Sequence, residues 1–404
     1  MIKKKKKTLF LLNGLTHYVI PILNKLNEVE GVEVIAVAAN NTSNNIGTGV
    51  YITNNGVRFR AVYLDEIKRF YGKTFFNGFK SLLVSESPDI IILGWPFILE
   101  LVFNPLLLFY LKKNKIKILF KEIPFQVQPF NNALKFKPTG FIDENMKPLD
   151  DTIGSRIWNF FIAMIRKYYY SFVDANINYL ENSYDLLKTF NVKKESIFIS
   201  YNSPDTESLF LAKRNVEGIL SYNPHRLIHV GRLVKWKRVD LLIQAVADLS
   251  ESFQNLELLV IGSGPELDSL TLLTEKLGVS SKVLFVGAIY NYIELAKYFN
   301  SGGIYVLGGM GGLSINEAMA FGKPVICSIC DGTEKKLVRD GYNGYIFKNG
   351  NIESLKSKIV EMISDNEKIV KFGKNSESII RNELNLKTVI NGYVEAFDYL
   401  LKIE

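Results

Sequence analysis

Between Leu307 and Glu317 the chain reads LGGMGGLSINE, four glycines around one methionine followed by a short polar run and an acid. An apolar strand, Gly303–Leu307, feeds this turn. A helix opening around Leu313 leaves it, Gly322 closes the helix, and Pro324 leads into a second buried strand at Val325–Cys330. Glycine permits close backbone approach, and the unpaired amides at a helix start face whatever anion arrives. Gly309, Met310, Gly311, Gly312, Leu313 and Ser314 are therefore candidate phosphate and sugar contacts. Glu317 falls roughly 6 Å along the helix axis, too near a phosphate to be its ligand but suited to a ribose diol. The plainer alternative is a tight connection whose first-turn acid is stabilised by the helix dipole.

Cations stand where such an anion would need them. Arg226–Val230 reads as a strand that exits through Gly231 to Arg232, with Lys237 close behind. Leu256–Ile261 is another, exiting through Gly262-Ser263-Gly264. Arg and Lys pair with phosphate oxygens by charge-assisted hydrogen bonds, so Arg232 and Lys237 facing the helix start would hold a diphosphate. A single exposed Arg or Lys is usually a solvated residue; the conjunction carries the reading.

The elements that must position these groups form βα repeats. In the first half Lys7–Asn13, Val32–Ala39, Asp89–Gly94, Ile116–Phe120, Ala175–Tyr179 and Ser196–Tyr201 read as strands, with a helix over Tyr18–Asn27. The first strand ends at Asn13-Gly14-Leu15-Thr16-His17, where open α/β sheets bind ligands. This turn lacks the GxGxxG pattern, which argues against a dinucleotide dehydrogenase. Asn13 and Gly14 are candidate acceptor-side contacts. His17 is either a substrate contact or an exposed turn residue, and Glu122 lies at the same sheet edge before Pro124. A loop over Phe125–Asp151 precedes an aromatic, basic helix at Ser155–Phe172, read chiefly as a core helix and secondarily as a membrane-surface one. The Asn202-Ser203-Pro204-Asp205 break sets a domain junction near residue 203. The first domain is 1–203 with the helix 386–404, and the second is 204–385.

The chain has 404 residues, 47% hydrophobic and 22% charged, which fits two or three globular domains and excludes disorder. A net charge of +8, part of it in Lys3–Lys7, suits anionic small molecules or an anionic membrane surface, and no nucleic-acid module is present. Nothing at the start reads as a secretory signal, and the apolar stretch Gly94–Leu111 is broken by Glu100, Asn104 and Pro105. The expected location is cytoplasmic, peripheral at the inner face of the plasma membrane. Two cysteines, Cys327 and Cys330, fit buried thiols, and three histidines supply no metal cluster.

Gly231-Arg232 with Lys237, Gly262-Ser263-Gly264, Val286-Gly287, Gly311–Ile326, Asp340-Gly341 and Asn343-Gly344 occur in the order that resembles the family 4 retaining glycosyltransferases, or glycosyl transferases group 1. The resemblance runs from Leu227 to Phe347. It implies a GT-B fold: two Rossmann-like parallel-sheet domains about a central cleft, with a C-terminal helix returning to the first. It also implies a metal-independent enzyme without cofactor, whose donor is a nucleoside-diphosphate sugar and whose acceptor is a glycan or lipid-linked molecule in cell-surface polysaccharide synthesis. Arg232 and Lys237 would bind the diphosphate, Glu317 the ribose, the amides of Gly311, Gly312 and Leu313 the phosphates and sugar, and Ala288 and Ile289 the base. The family motif places a first Glu eight residues before Glu317, where this chain has Gly309, and Gly308 also departs from the pattern. Two rivals are a nucleotide-sugar 2-epimerase and a non-catalytic nucleotide-sugar-binding scaffold.

Overall fold

A computed structural model describes residues 5–40, 51–123, 127–134, 152–214, 216–329 and 332–402. Cys330 and most of the loop expected over Phe125–Asp151 lie outside these residues, as do Lys3 and Lys4. The described residues form two compact units, one of those up to Tyr201 together with Lys387 onward, the other of those within Asn202–Leu386.

The first unit holds strands β1 (Lys6–Leu11), β2 (Val32–Ala39), β3 (Arg60–Leu64), β4 (Glu66–Lys68), β5 (Thr74–Phe76), β6 (Ile90–Gly94), β7 (Lys117–Glu122), β8 (Ala175–Asn178) and β9 (Ile197–Ile199). β4 and β5 form a separate antiparallel hairpin. The others make one sheet in the order β3-β2-β1-β6-β7-β8-β9, parallel throughout. Its central strands are apolar on both faces, as a sheet covered on both sides requires. The helix Leu386–Lys402 packs on this sheet, with Tyr393 against Phe10 and Tyr399 against Phe198.

The apolar stretch Gly94–Leu111 is two helices, Ile98–Phe103 and Pro105–Lys113, parted at Asn104. Asn104 caps the second, accepting from the Leu107 amide at 3.1 Å, and buried Glu100 is satisfied by Arg69 and Tyr71 at 2.9 Å each. In the basic run, Lys7 is a strand residue whose ammonium donates to the Glu86 carbonyl and carboxylate, and Lys6 faces Asp398 at 3.6 Å.

The second unit contains β10 (Asn223–Val230), β11 (Glu257–Ile261), β12 (Val283–Phe285), β13 (Gly302–Leu307), β14 (Val325–Ser328) and β15 (Gly344–Phe347), in the order β12-β11-β10-β13-β14-β15 and all parallel. Strand order reverses between β10 and β13. At such a switch point the two flanking chains leave in opposite directions and open a crevice at the carboxyl edge. Leu227, Val260, Val306 and Ile326 fill the core beneath, packed with Leu242, Val246, Leu355 and Ile359.

β13 must lie very close to the start of β10. A Cβ on Gly303 would sit 1.9 Å from the Pro224 carbonyl oxygen. Gly303→Ala should therefore destabilise the second unit by at least the roughly 1–3 kcal/mol typical of overpacking, seen as a lower urea midpoint.

Candidate functional site

The switch point collects the residues with chemistry. β10 exits through Gly231 and Arg232 into a tight turn at Lys235–Lys237, which Arg238 closes in the left-handed conformation with φ 51°. β13 exits into Gly308–Gly312. The two exits touch backbone to backbone: the Met310 amide donates to the Trp236 carbonyl at 2.9 Å. A Cβ on Gly309 would lie 2.0 Å from that same carbonyl oxygen, and one on Gly308 would lie 2.3 Å from the Arg238 oxygen. The missing first acid of the family motif thus has a physical reason in this chain, because position 309 has no room for a side chain.

Lys237 reaches into the loop from below. Its ammonium donates to the carbonyls of Met310 at 2.8 Å and Gly311 at 2.7 Å, and it is buried. Arg232 is half-buried with its guanidinium over the Trp236 ring at 5.6 Å. Gly262 and Gly264 press on the first exit, since Cβ atoms there would meet the Gly231 and Leu233 carbonyl oxygens at 1.9 and 2.4 Å. Ala288 and Ile289 follow Gly287, whose carbonyl accepts from the Gly262 amide at 2.8 Å. The structure thus gathers Gly231, Gly262, Gly264, Ala288 and Ile289 at one edge beside Lys237 and the glycine loop.

The helix expected after the loop is Ser314–Ala320, with Leu313 at its cap and no capping side chain. Among the described residues the amides of Gly312 and Leu313 have no protein acceptor, the condition for an anion site. Gly311 corrects the expectation. Its amide donates to the Glu334 carboxylate at 3.2 Å, and the other Glu334 oxygen accepts from Gly332 at 3.0 Å. Ser314 is buried and its hydroxyl accepts from Tyr305 at 2.7 Å, which ties the helix start to β13. Glu317 is half-buried one turn in, and burial pushes its carboxyl up to about 7. Tyr292, on the helix Tyr292–Phe299, is raised by its own burial and then by Glu317 and Asp205.

Sequence reasoning missed two partners. Fully buried Glu334 stands at the start of the one-turn helix Glu334–Leu337, and the only hint was an acid soon after a glycine. His229 read as an ordinary strand residue. It is fully buried, its Nδ1–H donates to the Val306 carbonyl at 3.2 Å, and burial aided by the Lys237 charge lowers its pKa to about 4. A neutral imidazole adds no positive charge to that of Lys237 and Arg232 at this edge.

The first-unit candidates lie at their own sheet edge. Glu122 is the last residue of β7 and is buried with its carboxylate saturated. It accepts from Arg166 at 2.7 Å, Tyr170 at 2.5 Å, Tyr169 at 3.2 Å and the Ile123 amide at 3.1 Å. Occupied this way, it anchors the long helix and is not open to a substrate, contrary to the expectation. His17 is half-buried, edge-on to Tyr18 at 5.2 Å, and burial lowers its pKa, partly offset by a hydrogen bond to the Tyr51 backbone. Asn13 and Gly14 are half-buried beside it, and the Asn13 Oδ1 accepts no hydrogen bond among the described residues.

A doubly wound parallel domain with a glycine loop and a buried cation at its switch point is the arrangement in which open α/β sheets bind ligands. Residues 212–379 match the family model described as glycosyl transferases group 1. The second unit belongs to that family. An uncharacterised glycosyltransferase of Methanocaldococcus jannaschii is 29% identical over 184 residues, 44% of this chain and 46% of the relative, so the chain spans less than half of that relative's length. Among solved structures, a glycosyltransferase from Rickettsia africae aligns with TM-score 0.70 at 14% identity, covering 99% of this chain and 100% of its own. HepE of Anabaena in complex with UDP-glucose aligns with TM-score 0.64 at 16% identity, covering 97% and 99%. The two-sheet GT-B fold expected from the resemblance is the fold observed.

Two outcomes follow from this geometry. The Glu317 carboxyl titrates above its ordinary value, so its contribution to stability is full below about pH 4 and is lost as pH rises through about 7. Glu317→Gln should therefore melt higher than wild type at about pH 8 and alike at about pH 4, as read by calorimetry. Restoring the family acid with Gly309→Glu should lower stability by roughly 1–3 kcal/mol and abolish any thermal shift from nucleotide sugars, because the loop must leave Trp236.

Proposed function

We propose that this protein is a retaining glycosyltransferase that moves a sugar from a nucleoside-diphosphate donor to a hydroxyl of a glycan or lipid-linked acceptor, in cell-surface polysaccharide synthesis. The observation that carries the reading is Lys237, a buried cation donating into the glycine loop directly before an uncapped helix start. In this reading the donor diphosphate lies against the amides of Gly312 and Leu313. Lys237 and Arg232 counter the charge that develops on the leaving diphosphate, and the ribose hydroxyls donate to Glu317. Such fixed donors need no reorganisation when charge appears, which is the effective form of electrostatic catalysis. The reaction needs no metal or cofactor here, since the two cations supply the positive charge. Asn13, Gly14 and His17 of the first unit are the proposed acceptor contacts. The sugar transferred is held by the loop backbone in place of the acid absent at position 309.

UDP sugars, named in the HepE complex, head the panel of UDP, GDP and ADP sugars to be tested. The experiment incubates purified protein and membranes with radiolabelled donor. Incorporation into lipid or polymer supports transfer; an epimerised donor or binding without turnover would overturn it. Arg232→Ala and Lys237→Ala should each lower turnover by about 10²–10³-fold, the scale seen when one charge-stabilising donor is removed.

A further inference from the structure

The long helix of the first unit, Ile153–Phe172, packs Ala163, Tyr169 and Tyr170 into the core and carries a second apolar face outward. Inward, Arg166 is pinned by Glu122 and stacked on Trp95 at 5.4 Å, while Tyr169 and Tyr170 are buried against Phe120. Outward, Ile153, Ile157, Trp158, Phe161, Met164 and Tyr168 are between 45% and 79% exposed. Their spacing of three and four residues makes a continuous stripe about 22 Å long at ~1.5 Å per residue. Exposed apolar surface on this scale marks an interaction site.

The charge around the stripe narrows the partner. Residues 153–172 contain no Asp or Glu, and the same helix carries half-buried Arg156 and Lys167, the latter with its ammonium over the Phe130 ring at 4.3 Å. The helix Pro105–Lys113 packs on the same short helix, Ile98–Phe103, as the long one does. It also lacks carboxylates, exposes Leu106 and Phe109, and ends in Lys112 and Lys113. Lys112 pairs with Asp174 at 2.9 Å, the acid that follows the long helix closely. Trp and Tyr rings with one wet edge suit the depth of lipid headgroups, and cations beside them suit anionic ones. Lys6 and Lys7 face carboxylates of their own unit, as Lys112 does.

We propose that the outer face of Ile153–Phe172 docks onto a bilayer carrying anionic phospholipid. The docking deepens the reading of a membrane-borne acceptor, but it is read without donor or turnover, so either can fail alone. Full-length protein would be sedimented with vesicles of phosphatidylcholine alone or mixed with phosphatidylglycerol. Wild type should partition onto the mixed vesicles about tenfold or more better than onto neutral ones, as expected for several basic contacts. The double variant Trp158→Glu with Phe161→Glu should lose that partitioning by at least about tenfold, as for loss of an interfacial apolar face. Because both side chains are exposed, its melting temperature and any nucleotide-sugar thermal shift should match wild type. Quenching of tryptophan fluorescence by brominated phosphatidylglycerol should vanish in Trp158→Phe. Equal partitioning of wild type and double variant, no preference for anionic vesicles, or a dimer that the double variant abolishes while vesicles bind neither protein, would each overturn the proposal.

Discussion

A buried ammonium cannot be left without acceptors, and Lys237 finds two in the Met310 and Gly311 carbonyls of the neighbouring strand exit. Much of the second unit's functional edge follows from that requirement. The exit of β13 must come within hydrogen-bond reach of the turn that carries Lys237, so Gly308 and Gly309 must be bare. Arg238 adopts a left-handed backbone to close the turn. His229, directly beneath, must stay neutral, and burial together with the adjacent ammonium sees to it.

Gly311 is gripped at both ends of its peptide framework, its carbonyl by Lys237 and its amide by Glu334. Opposite charges on a carbonyl and an amide act along the dipoles of the backbone, so they hold the loop rather than strain it. A loop fixed in this way keeps the following amides, Gly312 and Leu313, aimed in one direction. Preorganisation of that kind is what an anion site built from backbone requires. It also explains why a carboxylate can sit beside a proposed diphosphate site: Glu334 is spent on the frame, while Glu317, one turn into the helix, has been lifted toward neutrality by its own burial.

In the first unit a carboxylate again serves the frame. Glu122 gathers a guanidinium, two phenols and an amide, and a buried anion with that many donors fixes the helix that supplies three of them. The helix turns Arg166 and two phenols inward among apolar neighbours, and its outer face carries Ile, Trp, Phe, Met and Tyr. The aromatic stripe is the counterpart of the buried network.

Much of the fold was legible in the residues themselves. Strands such as Val34–Ala39 and Leu258–Ile261 are continuous apolar runs, and a parallel sheet buried on both faces leaves that mark. The glycine loop, Arg232, Lys237 and Glu317 were legible because strand exits in an α/β repeat fall on one edge whatever the detailed packing. The hairpin Glu66–Lys68 with Thr74–Phe76 and the helix Thr206–Arg214 were not, since short mixed segments carry no clear period. Sequence determined which residue types stand at the edge and in what order. Only the tertiary structure decided which of them are consumed: Glu122 and Glu334 by buried donors, the Gly311 amide by a carboxylate, Lys7 by Glu86. Hydrogen-bond partners distant in the chain meet only after the sheet has formed, and a charged side chain reads the same in sequence whether it faces a ligand or a buried amide.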